Sequence, residues 1–376
     1  LTPDRTLADH TLGLEGGKIN AVTPGSSDGF STDTIIDASG LYVTPGLIDL
    51  HIHGANNADT MDAAPDTLPT ISRFLAAHGV TGFLPTTISS PLENLQKAMS
   101  AYREYRHACK GARPLGLNLE GPFLNPLYTG AQPVTFLRRP DPAEYQAWLS
   151  SGDVRVLTLA PEQDGALELI HAAAQHGVRT GAGHSDATYE QAHAAIEAGL
   201  SISVHTFNGM GPLHHRRPGL LGAALSDERV YCELIADGIH LHPAVLQLAV
   251  RAKGVQRALL ITDSMRAAGL PNGEYDLGGQ TIRVQDGVAV TSTGNLAGST
   301  LTLDQAVRNA VRFCGVSFAE AVQMASLTPA SALGLDQQKG VLKPGADADV
   351  VLWDAKYRVQ RTLVAGETVY QRQPAV

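Results

Sequence analysis

Val43-Thr44-Pro45-Gly46-Leu47-Ile48-Asp49-Leu50-His51-Ile52-His53-Gly54 is the stretch from which the rest of the chain is best read. After the Pro-Gly turn signal comes an apolar run carrying two histidines two residues apart. Alternate residues of a strand point to the same face, so His51 and His53 are expected to project side by side from one strand end. Neutral imidazole is the commonest protein ligand for a transition metal, and such a pair offers two ligands from one rigid element. Two polar residues at a strand end can also be coincidence, so the remainder of the chain has to decide.

From Gly46 onward an apolar strand, a polar loop and a helical segment recur. Eight strand candidates are centred on 46–53, 80–86, 115–120, 154–159, 179–184, 202–206, 230–236 and 257–262. Between most of them lie helical segments, at 65–78, 91–110, 164–176, 187–198 and 243–253. Strands alternating with helices indicate parallel βα units, and eight of them predict an α/β fold, a closed (β/α)8 TIM-like barrel. A doubly wound open sheet is the alternative, but no glycine-rich nucleotide turn supports it.

Working outward, Thr11–Leu14, Glu15–Ile19 and Ile35–Asp37 read as short strands punctuated by Gly and Pro. Beyond the last barrel strand, residues 271–299 carry hairpin signals at Pro271-Asn272-Gly273, Leu277-Gly278-Gly279 and Gln285-Asp286-Gly287. Helical stretches follow at 301–313 and 318–325, and the tail returns to strands at 349–353 and 363–370. The expected organisation is a small β-sandwich domain formed from both chain ends, 1–44 and 340–376. It flanks a barrel of residues 45–339 that carries a β-hairpin insertion near 271–299.

Bulk properties narrow the function. With 376 residues, 43% of them hydrophobic, the chain holds one large unit plus a smaller module. A formal net charge of -9 and a pI near 5.8 argue against nucleic acid as a partner. No apolar run reaches the roughly eighteen residues that span a bilayer, so no membrane association is expected. The first ten residues lack the basic-then-apolar pattern of an export signal. Cys109, Cys232 and Cys314 are far apart, odd in number and never paired as Cys-x-x-Cys. That usage suits a reducing cytoplasm and excludes a thiolate metal site.

In a (β/α)8 barrel chemistry sits at the C-terminal ends of the strands. The polar residues closing the predicted strands are His51 and His53, then Glu120 of Leu119-Glu120-Gly121-Pro122, His184 of Gly183-His184-Ser185 and His205 of Val204-His205-Thr206. Asp237 and His240 close the seventh strand and Asp263 the eighth. Singly, each has an ordinary explanation: Glu120 as a turn residue, Asp263 as a helix cap, His184 and His205 as structural histidines. Together, His51, His53, Glu120, His184, His205 and Asp263 form a nitrogen and oxygen set suited to zinc or iron(II), with manganese or cobalt also admissible. Six ligands exceed one tetrahedral ion, so two divalent metals per chain are expected, bridged by Glu120. His51, His53, Glu120 and Asp263 would hold one, and Glu120, His184 and His205 the other. Asp263 is the expected catalytic base and acid, accepting a proton from the attacking water and returning it to the leaving group. His78, His107, His171, His176 and His193 lie in predicted helices and need no role beyond a solvated face. His214, His215, Arg216 and Arg217 form a basic cluster in an acidic protein, read as an anion site more than as a solvated loop.

These residues resemble the amidohydrolase superfamily, through Pro45–His53, the strand-end histidines and aspartate, and the tail from Gly340 to Asp349. The closer resemblance is to the branch that deacetylates N-acetylated hexosamine 6-phosphates. It rests on Leu119–Phe123, Gly181–Ser185, His205–Met210, Arg216–Leu220, Ala236–His240 and Gly294–Ser299, which run in order across nearly the whole chain. The resemblance implies release of acetate from N-acetylglucosamine 6-phosphate, with the galactosamine epimer as the near alternative. It implies that Asn208 and Gly209 present donors to the phosphate, and that Arg216 reaches in from the other chain of a homodimer. It further implies that Asp237 and His240 contact the sugar, that Leu296, Ala297 and Gly298 close over it, and that Ala131 and Gln132 complete the substrate contacts. Gln132 departs from members that carry a histidine there, since an amide donates a hydrogen bond but carries no proton. Members lacking the His-x-His pair look mononuclear, so His51 and His53 favour two metals. Dihydroorotase-like or hydantoinase-like activity commonly needs a carboxylated lysine where this chain has Glu120. A non-catalytic scaffold conflicts with the complete ligand set.

Overall fold

A computed structural model describes residues 6–25 and 34–373. Eight parallel strands form its centre: β1 (Leu47–Ile52), β2 (Val80–Thr87), β3 (Leu117–Glu120), β4 (Val154–Leu159), β5 (Arg179–Ala182), β6 (Ile202–Ser203), β7 (Tyr231–Ile235) and β8 (Ala258–Ile261). Each pairs with the next in sequence order. The seam between β8 and β1 is closed just past the strand ends. There Asp263 N donates to His51 O at 2.9 Å and His53 N to Ser264 O at 2.9 Å. The sheet is therefore the closed barrel expected from the sequence. Its strands are buried on both faces, as parallel strands wrapped by helices must be.

The helices that follow each strand are α1 (Thr67–Ala77), α2 (Leu92–Tyr105), α3 (Pro142–Leu149), α4 (Ala166–Gln175), α5 (Tyr189–Ala198), α6 (Gly219–Ser226), α7 (Pro243–Lys253) and α8 (Leu303–Cys314). Their ends follow the sequence chemistry. Thr188 and Gln191 form a reciprocal capping box on α5, with Thr188 Oγ1 accepting from Gln191 N at 3.2 Å and Gln191 Oε1 from Thr188 N at 2.9 Å. Gly315 ends α8 in the left-handed conformation, at φ 72°. Sequence periodicity did not predict α3 and α6. Asp141-Pro142 looks like a turn but is a cap followed by an N1 proline, with Asp141 Oδ1 accepting from Ala143 N at 2.9 Å. The α6 sequence, Gly-Leu-Leu-Gly-Ala-Ala-Leu-Ser, has two glycines and no polar face to set a period. On the barrel wall Ile48, Leu50, Ile52, Leu259 and Ile261 are fully buried in the main core. Each such side chain stabilises by about 1.5–3 kcal/mol relative to exposure.

Both chain ends contribute to a smaller β unit. Tyr42–Pro45 pairs antiparallel with Val350–Trp353, followed by Val359–Val364 and Glu367–Gln371. A hairpin of His10–Glu15 and Lys18–Pro24 joins it through Ile19, whose N–H donates to Ala346 O at 2.9 Å. Ile19, Val350, Leu352 and Leu363 form its own apolar cluster. Two of the expected strands need correction. Glu15–Ile19 spans the hairpin's Gly16-Gly17 turn, and Ile35–Asp37 is irregular, with no partner ladder among the described residues. The insertion is more than a hairpin: Gly273–Leu277, Gln280–Gln285 and Val288–Val290 make a three-stranded antiparallel sheet. It packs on Ile88, Met265 and Ala267 beside the barrel mouth.

Candidate metal centre

All six expected ligands sit at the C-terminal end of the barrel. His51 is the penultimate residue of β1 and Glu120 the last of β3. His184, His205 and Asp263 each lie two residues beyond β5, β6 and β8, and each is left-handed, at φ 49°, 28° and 47°. A non-glycine residue in that region costs about 1–3 kcal/mol and persists only where its surroundings fix it. Here the surroundings are hydrogen bonds. His184 O accepts from Asn125 N at 3.0 Å, His205 N donates to Glu233 Oε2 at 3.1 Å, and Asp263 N donates to His51 O. The turns aim three side chains at one point over the barrel.

Glu120 divides the cluster in two. Its Oε1 is 3.0 Å from His184 Nε2 and 3.0 Å from His205 Nε2. Its Oε2 is 3.2 Å from His53 Nε2 and 3.7 Å from His51 Nε2. Asp263 Oδ1 completes the second side, 3.3 Å from His53 Nε2 and 3.5 Å from His51 Nε2. Within His51, His53 and Asp263, and within Glu120, His184 and His205, the donor atoms lie inside 4.8 Å of one another. All six residues are buried. His51 Nε2 is buried with no hydrogen-bond partner among the described residues, an orphan atom that a cation at this point would satisfy. The donor set, nitrogen and oxygen without sulfur, fits a divalent metal.

The charges respond to this crowding. Burial alone would raise the Glu120 carboxyl, but the charge on His51 and hydrogen bonds from His184 and His205 hold it well below the usual range. Asp263 is lowered in the same way, with burial outweighed by His51 and His53. Burial disfavours protonated His51, yet the charges of Asp263 and Glu120 outweigh it and pull the imidazole well above its ordinary value. The same competition pushes His53 up to about 9 and raises His205. Protons and metal compete for these nitrogens, so binding a cation releases protons.

Outside the cluster, His184 Nδ1 donates to Tyr128 O at 2.8 Å and His205 Nδ1 to Asn208 O at 3.1 Å, which leaves each Nε2 free to face Glu120. Gln132 Nε2 donates to Glu120 Oε2 at 2.6 Å, while its Oε1 accepts from Ser89 N at 2.8 Å. Below the ligands, Asp49 Oδ2 accepts from Thr262 Oγ1 at 2.6 Å, and Oδ1 from Thr262 N and His51 N, both at 3.3 Å. Burial drives the Asp49 carboxyl up to about 7 despite those bonds. Glu233 and Asp49 were missed from sequence. Their signal is a lone acidic residue inside an apolar strand, which is costly unless it is paired.

A cavity of about 390 Å³ opens over the cluster, in the size range of small-molecule sites. His53, Glu120, His184, His205 and Asp263 line its floor, and Ala131, Gln132, Asn208, Gly209, His240, Leu296 and Gly298 line its walls. Three of the expected substrate-binding residues are not among those lining this cavity. Asp237 is set behind the wall, accepting from Ile239 N and His240 N and contacting His240 Nδ1 at 2.6 Å, so it holds His240. Ala297 is fully buried against the three-stranded insertion. Arg216 lies on an exposed loop, its Nη1 2.8 Å from His215 Nε2, and does not line this chain's cavity. Tyr128, Thr129 and Asn295 also line the cavity and were not expected.

The fold and the paired histidine–carboxylate groups define a hydrolase barrel of the kind that holds divalent metal at the strand ends. The chain belongs to the amidohydrolase family, which it matches over residues 42–369. It is 42% identical to the N-acetylgalactosamine-6-phosphate deacetylase of Escherichia coli O157:H7, an alignment covering 98% of this chain and 96% of that one. Identity to the N-acetylglucosamine-6-phosphate deacetylase of Vibrio furnissii is also 42%, over 95% of this chain and 89% of the other. Among solved structures, a mutant of the N-acetyl-D-glucosamine-6-phosphate deacetylase of Mycobacterium smegmatis in complex with N-acetyl-D-glucosamine-6-phosphate superposes with a TM-score of 0.91. That pair is 35% identical, with 98% of this chain and 97% of the other covered.

Proposed function

We propose that this chain deacetylates N-acetylglucosamine 6-phosphate, giving glucosamine 6-phosphate and acetate. The observation that carries the reading is Glu120, whose two oxygens each meet one set of imidazole Nε2 atoms on the floor of an open cavity. Divalent ions held by His51, His53 and Asp263 and by Glu120, His184 and His205 would polarise the acetyl carbonyl and acidify a water molecule. Asp263 accepts the proton of that water as its oxygen attacks the acetyl carbon. It then returns the proton to the amide nitrogen as the C–N bond breaks, so acetate and a free amine leave. Zinc or iron(II) is the proposed metal, two ions per chain, with manganese and cobalt as outcomes of metal analysis.

Substrate binding divides along the cavity wall. Asn208 and Gly209 face the phosphate, and Arg216 of a second copy completes its site in a homodimer. His240, held by Asp237, contacts the sugar, while Leu296 and Gly298 enclose it. Ala131 and Gln132 flank the acetyl group, with Gln132 as a donor that carries no proton. The working compartment is the cytoplasm, consistent with three unpaired cysteines. No helix among the described residues is long and apolar enough to cross a membrane.

The test is acetate release from N-acetylglucosamine 6-phosphate, N-acetylgalactosamine 6-phosphate and unphosphorylated N-acetylglucosamine. The first is expected to turn over fastest and the last far more slowly. Faster turnover of the galactosamine epimer would move the assignment to that sugar. No acetate from any of the three, with metal loaded, would refute it.

A further inference from the structure

We propose that Glu233 is a positioning residue that fixes the tautomer of His51 and ties the two metal groups together, an inference resting on the metal-binding reading of the site. Glu233 sits within β7 with no exposed surface. Its Oε2 is 3.1 Å from His51 Nδ1 and 3.1 Å from His205 N, while Oε1 is buried with no hydrogen-bond partner among the described residues. Burying a carboxylate costs several kcal/mol unless it is well paired, and an apolar residue of the same size would avoid that cost. What the carboxylate supplies is direction. A backbone N–H can only donate, so Oε2 is an acceptor there, and His51 Nδ1 is its second donor. With the proton on Nδ1, the lone pair of His51 is on Nε2, the atom facing Glu120 and Asp263.

The holders of the other rings differ. His184 and His205 are held at Nδ1 by the backbone carbonyls of Tyr128 and Asn208, whereas His51 is held by a carboxylate. A carboxylate partner makes an imidazole a more basic ligand than a carbonyl does. Glu233 therefore strengthens the His51, His53 and Asp263 group through the ring. The other group receives only a backbone bond, at the left-handed His205. Loss of the charge should fall unequally on the two.

The experiment is zinc titration of the full chain against a chromophoric chelator, which reads two dissociation constants. Glu233→Gln keeps an acceptor oxygen and the shape but removes the charge. It is expected to weaken one site by about 10- to 100-fold, the usual effect of removing a metal ligand's outer partner, with little change at the other. In the His51→Asn plus His53→Asn background, which keeps only the Glu120 group, the same substitution should change little. Parental constants at both sites, or equal weakening of both, would overturn the role of Glu233. A parent protein that takes up no zinc would refute the metal site itself. Should Glu233→Gln fail to fold, nitrogen-15 spectra of the zinc-loaded parent decide instead. His51 protonated at Nδ1 supports the assignment, and metal bound at Nδ1 with the proton on Nε2 overturns it.

Discussion

Replacing Asp263 by asparagine probes the step on which the proposed chemistry depends. The side chain keeps its size and one acceptor oxygen, but an amide cannot take a proton from water near neutral pH. A positioned general base is worth about 10²–10⁴ in rate, or about 3–5 kcal/mol of barrier. A second effect follows from the geometry. Asp263 Oδ1 lies 3.3 Å from His53 Nε2 and 3.5 Å from His51 Nε2, and its charge helps raise both imidazoles. Without that charge the two histidines release their protons more easily, while a cation held by them would lose a ligand. Metal at the Glu120, His184 and His205 group should be retained, because Asp263 is not one of its donors. The expected result is a fall in kcat of about 10²–10⁴, a nearly unchanged KM, and a thermal midpoint close to the parent's. The assay pairs single-turnover acetate release with metal content on the same preparation. A loss confined to KM, or a kcat within tenfold of the parent's with both metals bound, would refute the reasoning.

Three further outcomes are expected. His51→Asn combined with His53→Asn should remove one of two metal ions per chain; mass spectrometry that finds parental metal content would contradict the bridging role of Glu120. Arg216→Ala should raise KM for the phosphorylated sugar far more than for the unphosphorylated one. Mixing it with Asp263→Asn protein should restore activity, since one site of the mixed dimer then has neither defect; no recovery in demonstrated heterodimers would place Arg216 in its own chain's site or outside it. Asp304 supplies a pH test of the fold. Burial would raise its carboxyl, but His78 and Arg308 outweigh burial and bring it down from 3.8 to about 2. A depressed carboxylate contributes stability that is fully present above the unfolded value and lost as pH falls through the folded one. The window therefore runs from about pH 4 down to about pH 2, and its size is about 2 kcal/mol. Asp304→Asn should lower urea stability by about that amount at pH 7 and converge on the parent near pH 2.

The barrel was legible in the sequence because its strands are short apolar runs, most of them closed by a polar residue, and that pattern survives without any tertiary information. The six cluster residues were legible for the same reason: His51, His53, Glu120, His184, His205 and Asp263 stand where apolar runs stop. Elements lacking a period or a clear cap signal, such as α6 and α3, were not. Glu233 was not legible because its partner His51 is 182 residues away and meets it only when the barrel closes. Asp237, which the resemblance pairs with His240 at the sugar, lies 2.6 Å from His240 Nδ1, a contact between near neighbours that the sequence alone does not announce.

The seam that closes the barrel and the proposed catalytic centre are the same piece of structure. β8 meets β1 through Asp263 N to His51 O, His53 N to Ser264 O and the buried Asp49–Thr262 pair one turn of the pleat below. Those bonds set the separation of Asp263 from His51 and His53, and hence the geometry of one metal group. The other group, on β3, β5 and β6, meets the seam through Glu120, through the His51–His205 ring contact at 5.6 Å and through Glu233, which reaches from His205 N to His51 Nδ1. Opening the seam would therefore dismantle the His51, His53 and Asp263 group first and leave Glu120, His184 and His205 in place. On this geometry the two metal groups differ in how much of the barrel's closure each needs. A chain without the His-x-His pair would keep the group that depends on closure least.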